Sequence, residues 1–270
     1  MAESLGQWGN APLVYVLAEL RTERISDVKN YYPKFAGRLR DDGYPIQRTM
    51  HAAKVVATGT QMIFEPAQDP AWEFATPDNR TGVMLRPNGL VLHATAYEDE
   101  IDFLARLDKV VRLFAEEIPS VYVNRLGLRY IDFVLPRKGE KPEDYVDGRL
   151  NPDLGLAKIQ ADVRTTSVAI YAMGNGRQLT LRYSRGRGKP EMPPDLVMLS
   201  LQPSKLMNPP GVTDIDPTAV LDTDCNLNYS PVEKLDPKRV RDEFALICDE
   251  VYTAFLTAIT EHARKIWEAK

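Results

Sequence analysis

The residues with the most chemical content lie in the segment Arg125-Leu-Gly-Leu-Arg-Tyr-Ile-Asp132. Side chains of a strand alternate between faces, so Arg125, Gly127, Arg129 and Ile131 share one face while Leu126, Leu128 and Tyr130 share the other. Two guanidiniums then stand roughly 13 Å apart, with a glycine between them that leaves a gap in the side-chain layer. Arginine forks match the oxygens of a carboxylate or phosphate, which makes Arg125 and Arg129, with Tyr130, the candidates for binding a small anionic ligand. An arginine in a covered strand is costly unless paired. The candidate partners are Glu19, the one acid of the first strand, and Asp222 with Asp224, which project together from a later strand. An ion-pair network is the simplest outcome and an anion pocket the second. A third is a Mg²⁺ or Ca²⁺ site on Glu19, Asp222 and Asp224, although nothing in their spacing fixes its geometry.

The usual catalytic arrangements are missing from the sequence. The three histidines, His51, His93 and His262, belong to no His-Glu-x-x-His motif, and there is no Gly-x-Ser-x-Gly or Gly-x-Gly-x-x-Gly. His93 could serve as a general base, but a satisfied core histidine asks less of the fold. No catalytic residue and no cofactor is therefore expected. Trp72 and Phe74, following Pro70, read as an exposed-looking aromatic segment for which core anchoring of the loop is the simpler reading and partner contact the sharper one. Arg185 and Arg187 read as part of a Gly-rich charged hairpin loop or connector over 181–190, most simply a solvated one. These four are the candidates for partner contact. The Gly-Arg-Gly-Lys within that loop lacks the spacer and the Ser or Thr of a P-loop.

With 34 Lys plus Arg against 38 Asp plus Glu, the 270-residue chain carries a net charge of −4. Nucleic-acid binding through a general basic surface is not expected. No apolar window is long enough to span a membrane. The start of the chain lacks the apolar stretch of a secretory signal, and Cys225 and Cys248 fit no metal or redox spacing, so a cytoplasmic location is expected.

The elements that would carry these residues come in a repeated order. Leu13 to Arg21 is apolar on both faces and reads as a covered strand. Ser26 reads as the N-cap of a short helix through Tyr32, and Pro33 as the first turn of a second helix ending near Gly43. Turn signals every 8 to 12 residues between Ile46 and Tyr97 predict an antiparallel meander. Ile101, Leu104, Leu107, Val111, Phe114 and Ile118 predict an amphipathic helix closed by Pro119. The order then recurs with a strand over Val121–Leu135 and a short helix over Pro142–Arg149. Strand-like runs follow at Leu156–Tyr171, Gln178–Tyr183, Leu196–Leu201 and Ala219–Tyr229. A final helix is capped by Asp236 and striped from Val240 to Ile266; unbroken, it would be roughly 48 Å long at about 1.5 Å per residue. The expected fold is α+β. It has two similar halves, 1–119 and 120–270, each a curved antiparallel sheet packed on a long helix in helix-grip fashion, as duplication would give, and the halves pack as one unit.

The octapeptide Arg125–Asp132 also resembles the signature Arg-Ile/Leu-Gly-Leu-Arg-Tyr-Ile-Asn/Asp of an uncharacterised, sporadically distributed bacterial family of about this length. Ala11–Val14 with Glu19–Arg21, Tyr44-Pro45, Gly82-Val83, Leu90–Tyr97 and Leu221–Asp224 support the resemblance. Asp132 stands where many relatives carry Asn. The resemblance implies little biochemistry, because that family has no established activity. Its patchy distribution is that of horizontally moved genes such as accessory or defence modules, and together with the missing catalytic motifs it suggests an accessory or antitoxin-like partner in a mobile or defence-associated gene pair. The expected function is thus a non-enzymatic binding or interaction protein, with a protein partner or self-association. The alternative is a small anionic-ligand binder or enzyme using an arginine-lined cleft between sheet and helix.

Overall fold

Leu13–Thr22 (β1) is the strand around which the chain is organised, because it is bonded on both sides. The computed structural model describes residues 8–50, 53–58, 61–66, 70–150, 164–196 and 200–269. After β1 come a helix at Val28–Asp41 (α1) and strands at Ile46–Met50 (β2), Ala53–Thr58 (β3), Gln61–Pro66 (β4), Ala71–Ala75 (β5), Thr81–Arg86 (β6) and Gly89–Ala94 (β7). A second helix, Glu100–Glu117 (α2), leads to strands Tyr122–Val134 (β8), Thr165–Gly174 (β9), Arg177–Arg187 (β10) and Pro217–Lys234 (β11). Helices Pro237–Ala258 (α3) and Glu261–Glu268 (α4) complete the order.

The fold is α+β. Nine strands form one antiparallel sheet in the order β2-β5-β6-β7-β1-β8-β11-β10-β9, and β3 and β4 pair separately. The stretches 1–119 and 120–270 therefore do not carry one sheet each. They share a single sheet joined at β1 and β8, where Val16 faces Tyr130 and Glu19 faces Gly127. Helices α1, α2 and α3 lie side by side on one face. A single apolar core runs under them, from Phe35 and Phe74 through Val16, Leu92 and Phe114 to Leu128, Leu221 and Phe244. The tight turn before β7 depends on Gly89, whose φ is +138°; a Cβ there would meet the Leu20 carbonyl oxygen at 2.1 Å.

Several expectations change. α1 is one helix, with Pro33 inside it and Asp27 rather than Ser26 at the N-cap position. Proline removes a single backbone bond there, and the buried stripe Val28, Phe35, Ala36 and Leu39 runs on across it. In α2 the buried face is Phe103, Leu107, Val110, Val111 and Phe114, and Ile101 is 77% exposed. The final helix is not continuous. It stops at Ile259, and Thr260 caps α4 by accepting from the Ala263 N–H. The connection after β8 fills the break: Asp147 N–H donates to the Ala258 carbonyl, and Thr260 N–H to the Tyr145 carbonyl. Trp72 and Phe74 are buried in β5, with Trp72 tilted against Tyr32 and Phe74 edge-on to Phe35, so they anchor the core and are not exposed for partner contact. The Gly-rich charged segment is strand through Arg187 rather than loop. Of the Leu156–Tyr171 run, 156–163 lies outside the described residues; of Leu196–Leu201, 197–199 does; His51 and residues 1–7 do as well.

Asp132 of β8 is fully buried beside Leu13 and Leu221, on the face that carries the helices. Neither carboxyl oxygen has a hydrogen-bond partner among the described residues. Burial, reinforced by the Asp222 charge, pushes its pKa well above the ordinary carboxylate range. The native state thus holds a proton that the unfolded chain releases. That contribution is fully present below the unfolded pKa and is lost as pH rises through the native one. Asp132→Asn is expected to raise Tm, and more at pH 8 than at pH 5. A tenfold difference in proton affinity between the folded and unfolded chain corresponds to about 1.4 kcal/mol, and a gain of about 1 kcal/mol moves Tm by roughly 2–4 °C for a chain near this size. Thermal unfolding across that pH range checks it; a constant difference would contradict the neutral acid.

Candidate functional site

The face of the sheet opposite the helices carries the charged side chains. Alternation in β1 sends Val16, Ala18 and Leu20 into the core and Tyr15, Leu17, Glu19 and Arg21 outward to this open face. In β8 the outward set is Arg125, Gly127, Arg129 and Ile131, and in β11 it is Val220, Asp222, Asp224 and Asn226. The connection from β10 to β11 crosses part of this face, packing Leu196 on Tyr15, Ile131, Phe133 and Val220.

Three polar clusters result. In the first, beneath the connection, Tyr15 Oη lies 3.0 Å from His93 Nδ1, and His93 Nε2 lies 3.1 Å from Glu73 Oε1. Ser200 Oγ donates to the same oxygen, and Arg48 Nη1 donates to Glu73 Oε2 at 3.0 Å. Burial alone would raise the Glu73 pKa, but the bonds from His93, Ser200 and Arg48 outweigh it and hold the carboxyl below its ordinary value. Tyr15, His93 and Glu73 are at most 2% exposed.

In the second cluster, Arg129 makes a two-pronged bond to Asp222, both at 2.8 Å, and also donates to Asp195 from the connection. Arg182 reaches Asp222 at 3.3 Å. Burial would lower the Arg129 pKa, but the two carboxylates raise it further above its ordinary value. Two arginines and two aspartates balance here.

In the third, Arg125 Nη1 donates to Glu19 Oε2 at 2.9 Å, Arg21 Nη2 to both Glu19 oxygens at 3.0 and 3.2 Å, and Arg86 Nη1 stands 3.6 Å away. The gap at Gly127 is filled by the Arg125 guanidinium, which folds back over it 3.7 Å from where a Cβ would be. Asp224 lies in the fields of Arg125, Arg129 and Arg182, and burial raises its pKa.

The two signature arginines therefore share a face and meet the acids foreseen for them, but the cleft between sheet and helix is not where they point. Tyr130 faces the helices, with its hydroxyl 3.0 Å from that of Tyr97. Glu19 and Asp222 are each taken up by arginines, and among the described residues no group of three or more His, Cys, Asp or Glu gathers as a metal site. Arg185 points to the helix face and pairs with Glu143, and Arg187 ends β10 opposite Pro217. Sequence reasoning missed Arg21, Arg86, Glu73 and Asp195. The signal for Glu73 was present, since an acid between Trp72 and Phe74 must face away from the core once that segment is strand.

One further surface stands out at the sheet edge. Strand β9 reads Thr-Thr-Ser-Val-Ala-Ile-Tyr-Ala-Met-Gly, without a charge or proline, and ends the sheet beyond β10. Val168, Ile170, Tyr171 and Met173 are 55%, 64%, 50% and 43% exposed. The opposite edge, β2, has five residues and turns Arg48 inward to Glu73.

No known protein family matches the chain, and no curated protein matches it. Among the described residues, no helix is long and apolar enough to cross a membrane.

Glu73→Ala is expected to destabilise the protein by about 3–5 kcal/mol in urea unfolding, because Arg48 and His93 lose their buried carboxylate. Glu73→Gln keeps the shape and should cost less. Because the native pKa is lowered, the Glu73 contribution is present above the unfolded pKa and lost as pH falls through the native value. The deficit of Glu73→Gln should therefore shrink in acid; a pH-independent deficit would count against the charged network.

Proposed function

We propose that the protein is a non-enzymatic interaction protein that associates with a second copy of itself through β9. The observation that carries this reading is an uncharged, ten-residue edge strand with four exposed large apolar side chains. Proteins normally blunt such an edge with charges, proline or a cover. Self-pairing suits it, since no like charges meet across the seam. A two-fold axis at Ala169 sets Val168 of one copy against Ile170 of the other. The inaccessibility of His93 and Tyr15 supports a role without catalysis.

The strand order supports two related halves. Outward from β1 the sheet reads β7, β6, β5 and then β2; outward from β8 it reads β11, β10, β9, so three strands on each side correspond and β2 is extra. Each half closes on a long helix, α2 or α3, in the helix-grip manner of a duplicated unit. Two buried free thiols, Cys225 and Cys248, support a cytoplasmic, reducing setting. An accessory or antitoxin-like role in a mobile or defence-associated gene pair rests on the resemblance and the missing catalytic motifs.

Sedimentation velocity across concentration tests the reading. The wild type is expected to dimerise, and Ile170→Lys with Val168→Lys, both at exposed positions, to be monomeric with unchanged circular dichroism. A wild type monomeric up to about 100 µM, well above the Kd of a stable interface, would overturn it, as would a dimer that both substitutions leave intact.

A further inference from the structure

From the unbalanced charge of the third cluster we infer that Arg21, Arg86 and Arg125 form a binding site for a phosphate group on the open face of the sheet. The three arginines lie along one transverse row: Arg86 faces Gly89, Gly89 faces Arg21, and Arg21 faces Arg125. At about 4.8 Å between strands, the row is roughly 14 Å wide, and Gly89 places no side chain within it. The heads converge on Glu19, which sits one step along β1.

The neighbouring clusters show why this one is different. Arg129 and Arg182 are matched by Asp222 and Asp195, and Glu73 receives Arg48 and His93 in a buried setting. At Glu19 three positive charges meet one negative. Asp224 also lies in the field of Arg125, but it is shared with Arg129 and Arg182, and burial favours its neutral form. A carboxylate offers about four acceptor positions, whereas three guanidiniums carry about fifteen N–H groups. Most of those donors have no acceptor in Glu19, and Arg21 Nε is buried without a partner. The heads are also reachable: Arg21 is 43%, Arg86 37% and Arg125 23% exposed, while Glu19 beneath them is 14% exposed. The Arg86 stem is steadied by a 3.1 Å contact from Nε to Met84 Sδ. Preorganised, outward-facing forks with about two excess positive charges match a dianionic oxyanion rather than a monoanion. Glu19 holds the forks together from below and leaves their outer N–H groups to the ligand.

The site belongs to β1, β6 and β8 and does not depend on β9. Isothermal titration of the full chain at fixed ionic strength tests it with chloride, inorganic phosphate, pyrophosphate and a nucleoside 5′-monophosphate. Phosphate and pyrophosphate are expected to bind, with chloride giving no heat above dilution. Arg86→Gln and Arg21→Gln, both at partly exposed positions, should each weaken binding at least about tenfold, as loss of a charge-assisted bond predicts. Ile170→Lys should bind as the wild type does. Tighter binding of the monophosphate than of phosphate would identify a phosphorylated ligand as the source, and equal binding would identify the free ion. The inference fails if phosphate and pyrophosphate give no more heat than chloride, or if both glutamine variants retain wild-type affinity.

Discussion

Between Tyr15 and Arg21 the backbone of β1 is paired with β8, and from Val16 onward it is paired with β7 on the other side. β1 is moreover fifth in the order of nine strands, the middle of the sheet, and the rest of the molecule follows from that place. The double pairing removes both edges of a strand rich in apolar residues. It also aligns Val16, Ala18 and Leu20 with Leu92, Leu90, Leu128 and Leu126, so that three helices find one continuous apolar floor. The same register fixes the other face. Glu19 is opposite Gly127 and Arg21 is opposite Arg125, so a one-residue slip would bury the charges and expose the core.

The open face shows how a sheet accommodates charge at different depths. Where the connection from β10 to β11 covers the strands, each charge is answered: Arg129 by two aspartates, and Glu73 by arginine, histidine and serine. Where water reaches the strands, balance is relaxed, because solvent screens what a buried site must neutralise. Asp132, on the opposite face, shows the third possibility, a carboxyl kept neutral because nothing answers it.

Much of this was legible in the residues. Alternation in the Arg125–Asp132 segment separated the arginines from Tyr130, and the search for acids found Glu19 and Asp222. The amphipathic helices and the antiparallel strands were also readable. What escaped depended on tertiary neighbours. For Trp72 and Phe74 the residues left core anchoring and partner contact both open, because β5 is short and only its pairing with β2 and β6 buries them. The break between α3 and α4 is made by backbone bonds from Tyr145 and Asp147, which no periodicity in the helix announces. Arg21 and Arg86 gained meaning from register across three strands, information that is spread over distant parts of the chain.

The central pairing also has a kinetic side. Arg125 and Glu19 are 106 positions apart in the chain, and every bond between β1 and β8 closes a loop of similar size. Non-local pairing of that kind slows folding, because closure entropy must be met before the contacts exist. During synthesis, at about 5–20 residues per second, β1 emerges roughly 5–20 seconds before the strand that completes it. Over that interval an apolar strand has one edge unsatisfied. The seam that gives the finished molecule its order is therefore also the interval in which the nascent chain is most open to wrong partners.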